Sequence, residues 1–205
     1  MKSNQRKYIE YVKDFAEAGG YHIWLGGSFL RGNATLFSDV DISAYMGTDP
    51  LSSFIYGYGK PVYISHTTNP EGIIIVIYED GVAVDLEVIE YIEITDNNFF
   101  HLESIKNSLY CRNSNIYKEI CQKKDEPYQI ARLFHRSLIK YLAGKKEAGV
   151  SVANEIAEFL KYNSSITESN YKNGITNLIK FYCDRFTLDE EYRSLCFELI
   201  NCIEG

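Results

Sequence analysis

The sequence predicts an α+β protein of 205 residues, with a strand-rich first half and a helical second half. Three observations carry that expectation. β-Branched runs crowd the segment 60–94 and then stop near residue 100. Asp80-Gly81 stands between two such runs, a strong short-range hairpin signal. Beyond residue 100 the apolar residues recur at helical spacing through the rest of the chain.

The elements follow in order. Tyr8, Ile9, Val12, Phe15 and Ala16 recur every 3.6 residues, so Asn4–Ala18 reads as a helix that Gly19-Gly20 stops. "YHIWL" (21–25) reads as a short buried strand. "DVDISAYM" (39–46) alternates polar with apolar residues, the period of a strand with two unlike faces. Residues 49–59 read as a short helix or loop, 60–68 as a strand, and 71–94 as the two arms of the hairpin. Helical periodicity then covers 102–122, 128–143, 151–162, 171–186 and 189–203. Two domains are expected, 1–100 and 101–205, with the change of texture falling within 96–127.

Composition narrows the function classes. At 45% hydrophobic and 24% charged residues the chain is an ordinary globular one. Its longest apolar run, Ile73–Tyr78, is far too short to span a bilayer, and the basic start leads into an amphipathic pattern rather than a secretion signal. A cytoplasmic protein without a membrane partner is expected. The five cysteines, at 111, 121, 183, 196 and 202, form no Cys-x-x-Cys pair and read as free thiols in a reducing compartment. Residues 1–100 carry 6 Lys and Arg against 14 Asp and Glu, a net −8, whereas residues 101–205 carry a net +1. That distribution disfavours a broad duplex-binding surface and suits metal ions and cationic substrates. A local basic patch for a structured RNA stays open.

The chemistry concentrates in "WLGGSFLRGNATLFSDVDISAY", Trp24 to Tyr45. Gly26-Gly27-Ser28 follows a strand, so its backbone N–H groups can face an anion, with the Ser28 hydroxyl as a further donor and Arg31 within reach of the same phosphates. An ordinary tight turn has the same composition. Asp39 and Asp41, at i and i+2 of a strand, project from one face and repel unless a cation separates them; a pair of hard divalent ions is the natural occupant. Taken alone, Asp-x-Asp also occurs on exposed edge strands and turns. In "GVAVDLEVIE", Asp85 is an acidic residue within an otherwise apolar strand, where an unpaired carboxylate is costly. If this strand neighbours that of Asp39 and Asp41, Asp85 completes a cluster of three carboxylates. Glu87, one pleat further, reads as a general base for an acceptor hydroxyl or as a solvent-facing glutamate.

The order and spacing Gly26-Gly27-Ser28, Arg31-Gly32, Ser38-Asp39-Val40-Asp41-Ile42, with Asp85 in "VAVDLEV", resembles the signature of the polymerase-β-type nucleotidyltransferase superfamily. The likeness is closest to the minimal and antibiotic nucleotidyltransferases and covers roughly residues 20–95. It implies an N-terminal mixed-sheet nucleotidyltransferase domain followed by a C-terminal helical bundle that walls the acceptor cleft. It also implies two Mg²⁺ ions held by Asp39, Asp41 and Asp85, with Asp85 on the ion nearer the attacking oxygen. Gly27 and Ser28 would then meet the β- and γ-phosphates of an NTP, with ATP the expected nucleotide, and Arg31 and Ser38 would complete that set.

Weaker signals surround the motif. Arg132, Arg136 and Lys140 fall on one helical face and read as a basic stripe toward the triphosphate or as a solvated face, with Arg136 and Lys140 the candidates for nucleotide contact. His135 reads as a packed or exposed residue rather than a catalytic one, and no spacing pairs His22, His66 or His101 with a catalytic partner. Trp24 reads as core, and the seventeen tyrosines, which could stack an adenine or line an acceptor pocket, read mostly as ordinary core and surface residues. The expected activity is transfer of a nucleoside monophosphate to the hydroxyl of a small acceptor, cationic in the manner of an aminoglycoside or lincosamide antibiotic. The alternatives are a macromolecular acceptor (a tRNA end or a protein hydroxyl, as in toxin–antitoxin systems) and a non-catalytic binding module. Retention of both glycines, Ser28 and all three aspartates argues against a decayed site.

Overall fold

A computed structural model of the chain describes residues 3–47, 49–67, 72–94, 97–113 and 125–204. The chain divides into two compact units, Met1–Lys123 and Lys124–Gly205. The architecture is α+β, as the sequence predicts.

The first unit opens with α1 (Asn4–Gly19), where the Ser3 side chain accepts from the Arg6 N–H and Gly20, at φ 67°, ends the helix. β1 (His22–Leu25), the single-turn α2 (Gly27–Leu30), β2 (Val40–Tyr45) and α3 (Asp49–Tyr58) follow. Then come β3 (Pro61–His66), β4 (Ile74–Tyr78), the long β5 (Ala83–Ile92), β6 (Phe100–His101) and β7 (Tyr110–Arg112). The sheet order is β3-β4-β5-β2-β1-β6, with β7 paired to β5. β2 runs parallel to β5 and β1 parallel to β6, while β1–β2, β3–β4, β4–β5 and β5–β7 are antiparallel, so the sheet is mixed.

The two faces of this sheet differ because the strands alternate. Val40, Ile42 and Ala44 of β2 and Val84, Leu86 and Val88 of β5 pack into the main core, against Tyr8, Val12 and Ala16 of α1 and Leu51, Phe54 and Ile55 of α3. Many of the tyrosines belong here. Tyr58 meets Tyr8 and Tyr78 edge-on at 4.9 and 5.0 Å. The opposite face presents Asp41, Ser43 and Tyr45 in alternate, half-buried positions. Further along it, Trp24, Ile89, Ile92 and Ile105 form a smaller core.

The expected hairpin is present at Asp80-Gly81. Gly81 takes φ 84°, the Asp80 carboxylate accepts from the Val82 N–H at 3.2 Å, and Tyr58 Oη donates to that carboxylate at 2.6 Å. A second hairpin, β3–β4, precedes it and makes the outer edge of the sheet. The helix expected over 102–122 is not what forms over 102–113. Residues Ile105–Asn107 make one 3-10 turn, β6 pairs with Trp24 and Ile23 of β1, and β7 pairs with Ile89–Ile92 of β5. Non-local strand pairing overrides the local helical spacing there, and residues 114–122 lie outside the described residues. This strand-forming stretch groups with the first unit, so the units part at 123/124 where the sequence suggested 100/101.

The described residues of the second unit form four α-helices: α4 (Glu126–Leu142), α5 (Lys146–Phe159), α6 (Tyr171–Cys183) and α7 (Glu190–Asn201). Asp125 caps α4 by accepting from the Tyr128 N–H at 3.0 Å. Tyr192 Oη donates to the Ala131 carbonyl at 2.8 Å and accepts from the His135 N–H at 3.2 Å, a hydroxyl seated on the α4 backbone. His135 is buried, and that burial pushes its pKa down to about 4. Ser137 Oγ donates to the Gly149 carbonyl at 2.7 Å, drawing α4 and α5 together. A Cβ on Gly149 would lie 2.8–2.9 Å from Tyr141 and from the Ser137 carbonyl. Gly149→Ala is therefore expected to destabilise this unit by about 1–2 kcal/mol, overpacking outweighing the gain in helix propensity. Urea unfolding measures it.

Among the described residues, no helix is long and apolar enough to cross a membrane, and Cys111, Cys183, Cys196 and Cys202 are free; Cys121 lies outside them.

Candidate active site

β2 and β5 lie side by side in register, with Asp41 opposite Asp85 and Ser43 opposite Glu87. Strand alternation puts all four on the face opposite the main core. Asp39 precedes β2 by one residue, at the end of a turn that Ser38 closes. Ser38 Oγ accepts from the Thr35 N–H at 2.9 Å and lies 3.3 Å from Thr35 Oγ1, while the Gln5 side chain holds the Leu36 carbonyl from α1. The Ser38 hydroxyl thus shapes the approach to Asp39.

The glycine turn is built against Asp41. The Gly26 N–H donates to the Asp41 carbonyl at 2.8 Å, continuing the β1–β2 ladder into the turn. Gly27 then adopts φ 56°, and a Cβ there would fall 1.5 Å from Asp41 Oδ2. Only glycine serves at that position, for conformation and for space. Ser28 follows, and its buried Oγ has no hydrogen-bond partner among the described residues. A buried hydroxyl left without a partner costs stability. Arg31 ends α2, exposed, with its backbone N–H on the Gly27 carbonyl.

Charge couples these groups. Burial raises the Asp41 pKa, the negative charge of Asp39 raises it further, and the Arg31 guanidinium opposes both. The ionised pair Asp39–Asp41 is thus under strain that a cation would relieve. Asp85, in register beside Asp41, adds a third carboxylate to the same face. No three acidic, histidine or cysteine side chains among the described residues converge on one point. The donor set nevertheless fits hard divalent ions in its chemistry, since it consists of carboxylate oxygens on one face of two neighbouring strands.

Glu87 has a different setting. Its carboxylate accepts from Ser43 Oγ at 2.6 Å and forms an ion pair with Arg112 Nε of β7. Arg136 and Lys140 belong to the second unit, on α4, with Arg136 exposed and Lys140 half-buried. The structure therefore sets Gly27 against Asp41, Asp85 in register beside Asp41, and Asp39 and Arg31 close enough to act on the Asp41 charge, with Glu87 one register pair further on.

Two features have no trace in the sequence motifs. Arg112 reaches Glu87 only because β7 pairs with β5. His22 and His101, which no spacing paired, face each other with Nδ1 and Nε2 3.1 Å apart, and His101 stacks on Trp24 at 4.3 Å. They sit toward the other end of β2, where His22 and Tyr45 line a cavity of about 450 Å³.

A comparison with protein families finds a match over most of the chain. The family described as the nucleotidyltransferase domain matches residues 5–171, taking in the described elements of the first unit together with α4 and α5. No curated protein matches the chain. The matched span covers the glycine turn, all three aspartates and most of the chain, and the chain belongs to the nucleotidyltransferase domain family.

Proposed function

We propose that the protein transfers a nucleoside monophosphate from an NTP, with ATP the expected donor, to a hydroxyl of a small cationic acceptor of the aminoglycoside or lincosamide kind. The observation that carries this reading is the Asp41–Asp85 register pair with Gly27 backed against the Asp41 carboxylate. A structural aspartate pair has no use for a glycine turn pressed on it.

Asp39, Asp41 and Asp85 are the residues that would hold two Mg²⁺ ions. Bound there, the ions supply neutralisation of the α-phosphate and pyrophosphate charge and ease ionisation of the acceptor hydroxyl. The chain's own groups bind and orient the nucleotide. Ser28 Oγ, buried and without a partner, offers its hydrogen to a phosphate oxygen, and Arg31 adds a positive charge beside it. In the reaction the acceptor oxygen forms a bond to the α-phosphorus, and the α-phosphorus–oxygen bond to the β-phosphate breaks. Pyrophosphate leaves, and the hydroxyl proton passes to Asp85 or to water. The net −8 of residues 1–100 favours a cationic acceptor.

The test is pyrophosphate release from each of the four NTPs with Mg²⁺, across aminoglycosides, lincosamides and bulk tRNA. Release that requires a cationic small molecule is the expected result. Release that requires tRNA instead would move the reading to a macromolecular acceptor.

A further inference from the structure

Along the β2–β5 ladder, two successive same-face pairs have opposite character. Asp41 beside Asp85 is a pair of like charges. Ser43 beside Glu87 is a donor and an acceptor, joined at 2.6 Å. Like charges directly opposite one another destabilise a strand pair, and a hydrogen-bonded pair stabilises it. The Glu87 carboxylate is largely buried, at 12% exposure, and a carboxylate so placed needs a counter-charge. Arg112 supplies it. Arg112 is the register partner of Ile89, so it lies on the same face as Asp85 and Glu87 and closes on Glu87 from β7.

We propose that Arg112 is a positioning residue that keeps Glu87 out of the divalent-ion site, so that the ion ligands remain Asp39, Asp41 and Asp85. This rests on the reading of those aspartates as the metal ligands. Without Arg112, Glu87 stands as a fourth negative charge one pleat from Asp85, on the face where the ions bind. With it, the pair is neutral to the site, and the Ser43 hydrogen bond fixes the carboxylate's direction. The charge that attracts ions is then set by a strand that contains no metal ligand. Through this ion pair β7 becomes part of the site.

Mn²⁺ binding, measured by electron paramagnetic resonance without nucleotide, tests this through the sign of each change. Arg112→Met is expected to bind Mn²⁺ on the order of tenfold more tightly, because a negative charge is released beside the site. Glu87→Gln is expected to bind on the order of tenfold more weakly, because the Arg112 charge is left uncompensated. The double variant is expected within about twofold of wild type, and Arg112→Lys is expected to resemble wild type. Thermal unfolding accompanies each titration. Loss of a merely structural brace lowers stability and weakens binding in all of them, so a weaker Arg112→Met overturns the proposal. Unchanged affinity in both single variants overturns it as well. Wild-type protein that binds no Mn²⁺ contradicts the metal assignment itself, a result distinct from any of these.

Discussion

Replacing Asp41 with Asn is expected to abolish nucleotidyl transfer and, in the absence of metal, to raise thermal stability at neutral pH. The two effects share one cause. Burial and the negative charge of Asp39 both raise the Asp41 pKa, with Arg31 offsetting only part of the cost of its charge. Asn keeps the shape and leaves the backbone contact from Gly26 to the residue 41 carbonyl in place, but it removes the charge. The loss of turnover should be at least about 10³-fold, the scale on which charge stabilisation at a transferring phosphoryl group operates. The stability gain should be on the order of 0.5 kcal/mol, the cost of like charges on neighbouring strand positions. Its pH dependence has a definite sign. A carboxyl whose folded-state pKa lies above its unfolded value destabilises the fold once it is ionised, and that cost disappears as pH falls through the folded pKa. The Asp41→Asn advantage should therefore be present at pH 7–8 and vanish in acid. Melting curves in chelator across that range, beside pyrophosphate assays, measure both. A variant that turns over normally contradicts the assignment of Asp41.

Gly27→Ala is the second large effect expected, and its burden falls more on activity than on folding. At φ 56° an alanine costs about 1–2 kcal/mol on backbone grounds. Its Cβ would also fall 1.5 Å from Asp41 Oδ2 and 2.4 Å from Asp41 Cγ. The carboxylate can rotate to escape this overlap, and rotation removes Asp41 from its place beside Asp85. Turnover should fall by at least about 10²-fold, as a displaced catalytic group does. Gly26→Ala is the control. There φ is −112°, and the nearest contact of a Cβ is Asp41 Cβ at 3.2 Å, so a much smaller loss is expected. Steady-state kinetics and urea unfolding of the two variants separate the site effect from the folding effect. Equal losses in both would mean that the turn matters only for folding.

The site was legible to the extent that it is local. Strand alternation placed Asp41 on the polar face of β2, with Asp39 just before that strand, and put Asp85 on the polar face of its own strand, and the register Asp41–Asp85 joins the two strands. The Asp80-Gly81 hairpin was readable because a two-residue turn writes its backbone demands into its own residues. What depends on distant pairing was not readable. Helical spacing runs over 102–122 in the sequence, yet residues 100–113 form β6, a 3-10 turn and β7, because β1 and β5 offer them ladders. With β7 misplaced, Arg112 had no connection to Glu87, and Glu87 stood as a candidate base rather than as a carboxylate held between Ser43 and Arg112. The His22–His101 contact was hidden for the same reason, since 79 residues separate the two rings.

The most direct measurement is the fate of an α-labelled NTP incubated with Mg²⁺, the protein and the acceptor that supports pyrophosphate release. The expected result is an acceptor that gains the mass of a nucleoside monophosphate, carries the α-label, appears in step with pyrophosphate and is absent with Asp41→Asn. An acceptor that gains only a phosphate group, or label transfer that survives Asp41→Asn, would contradict the account.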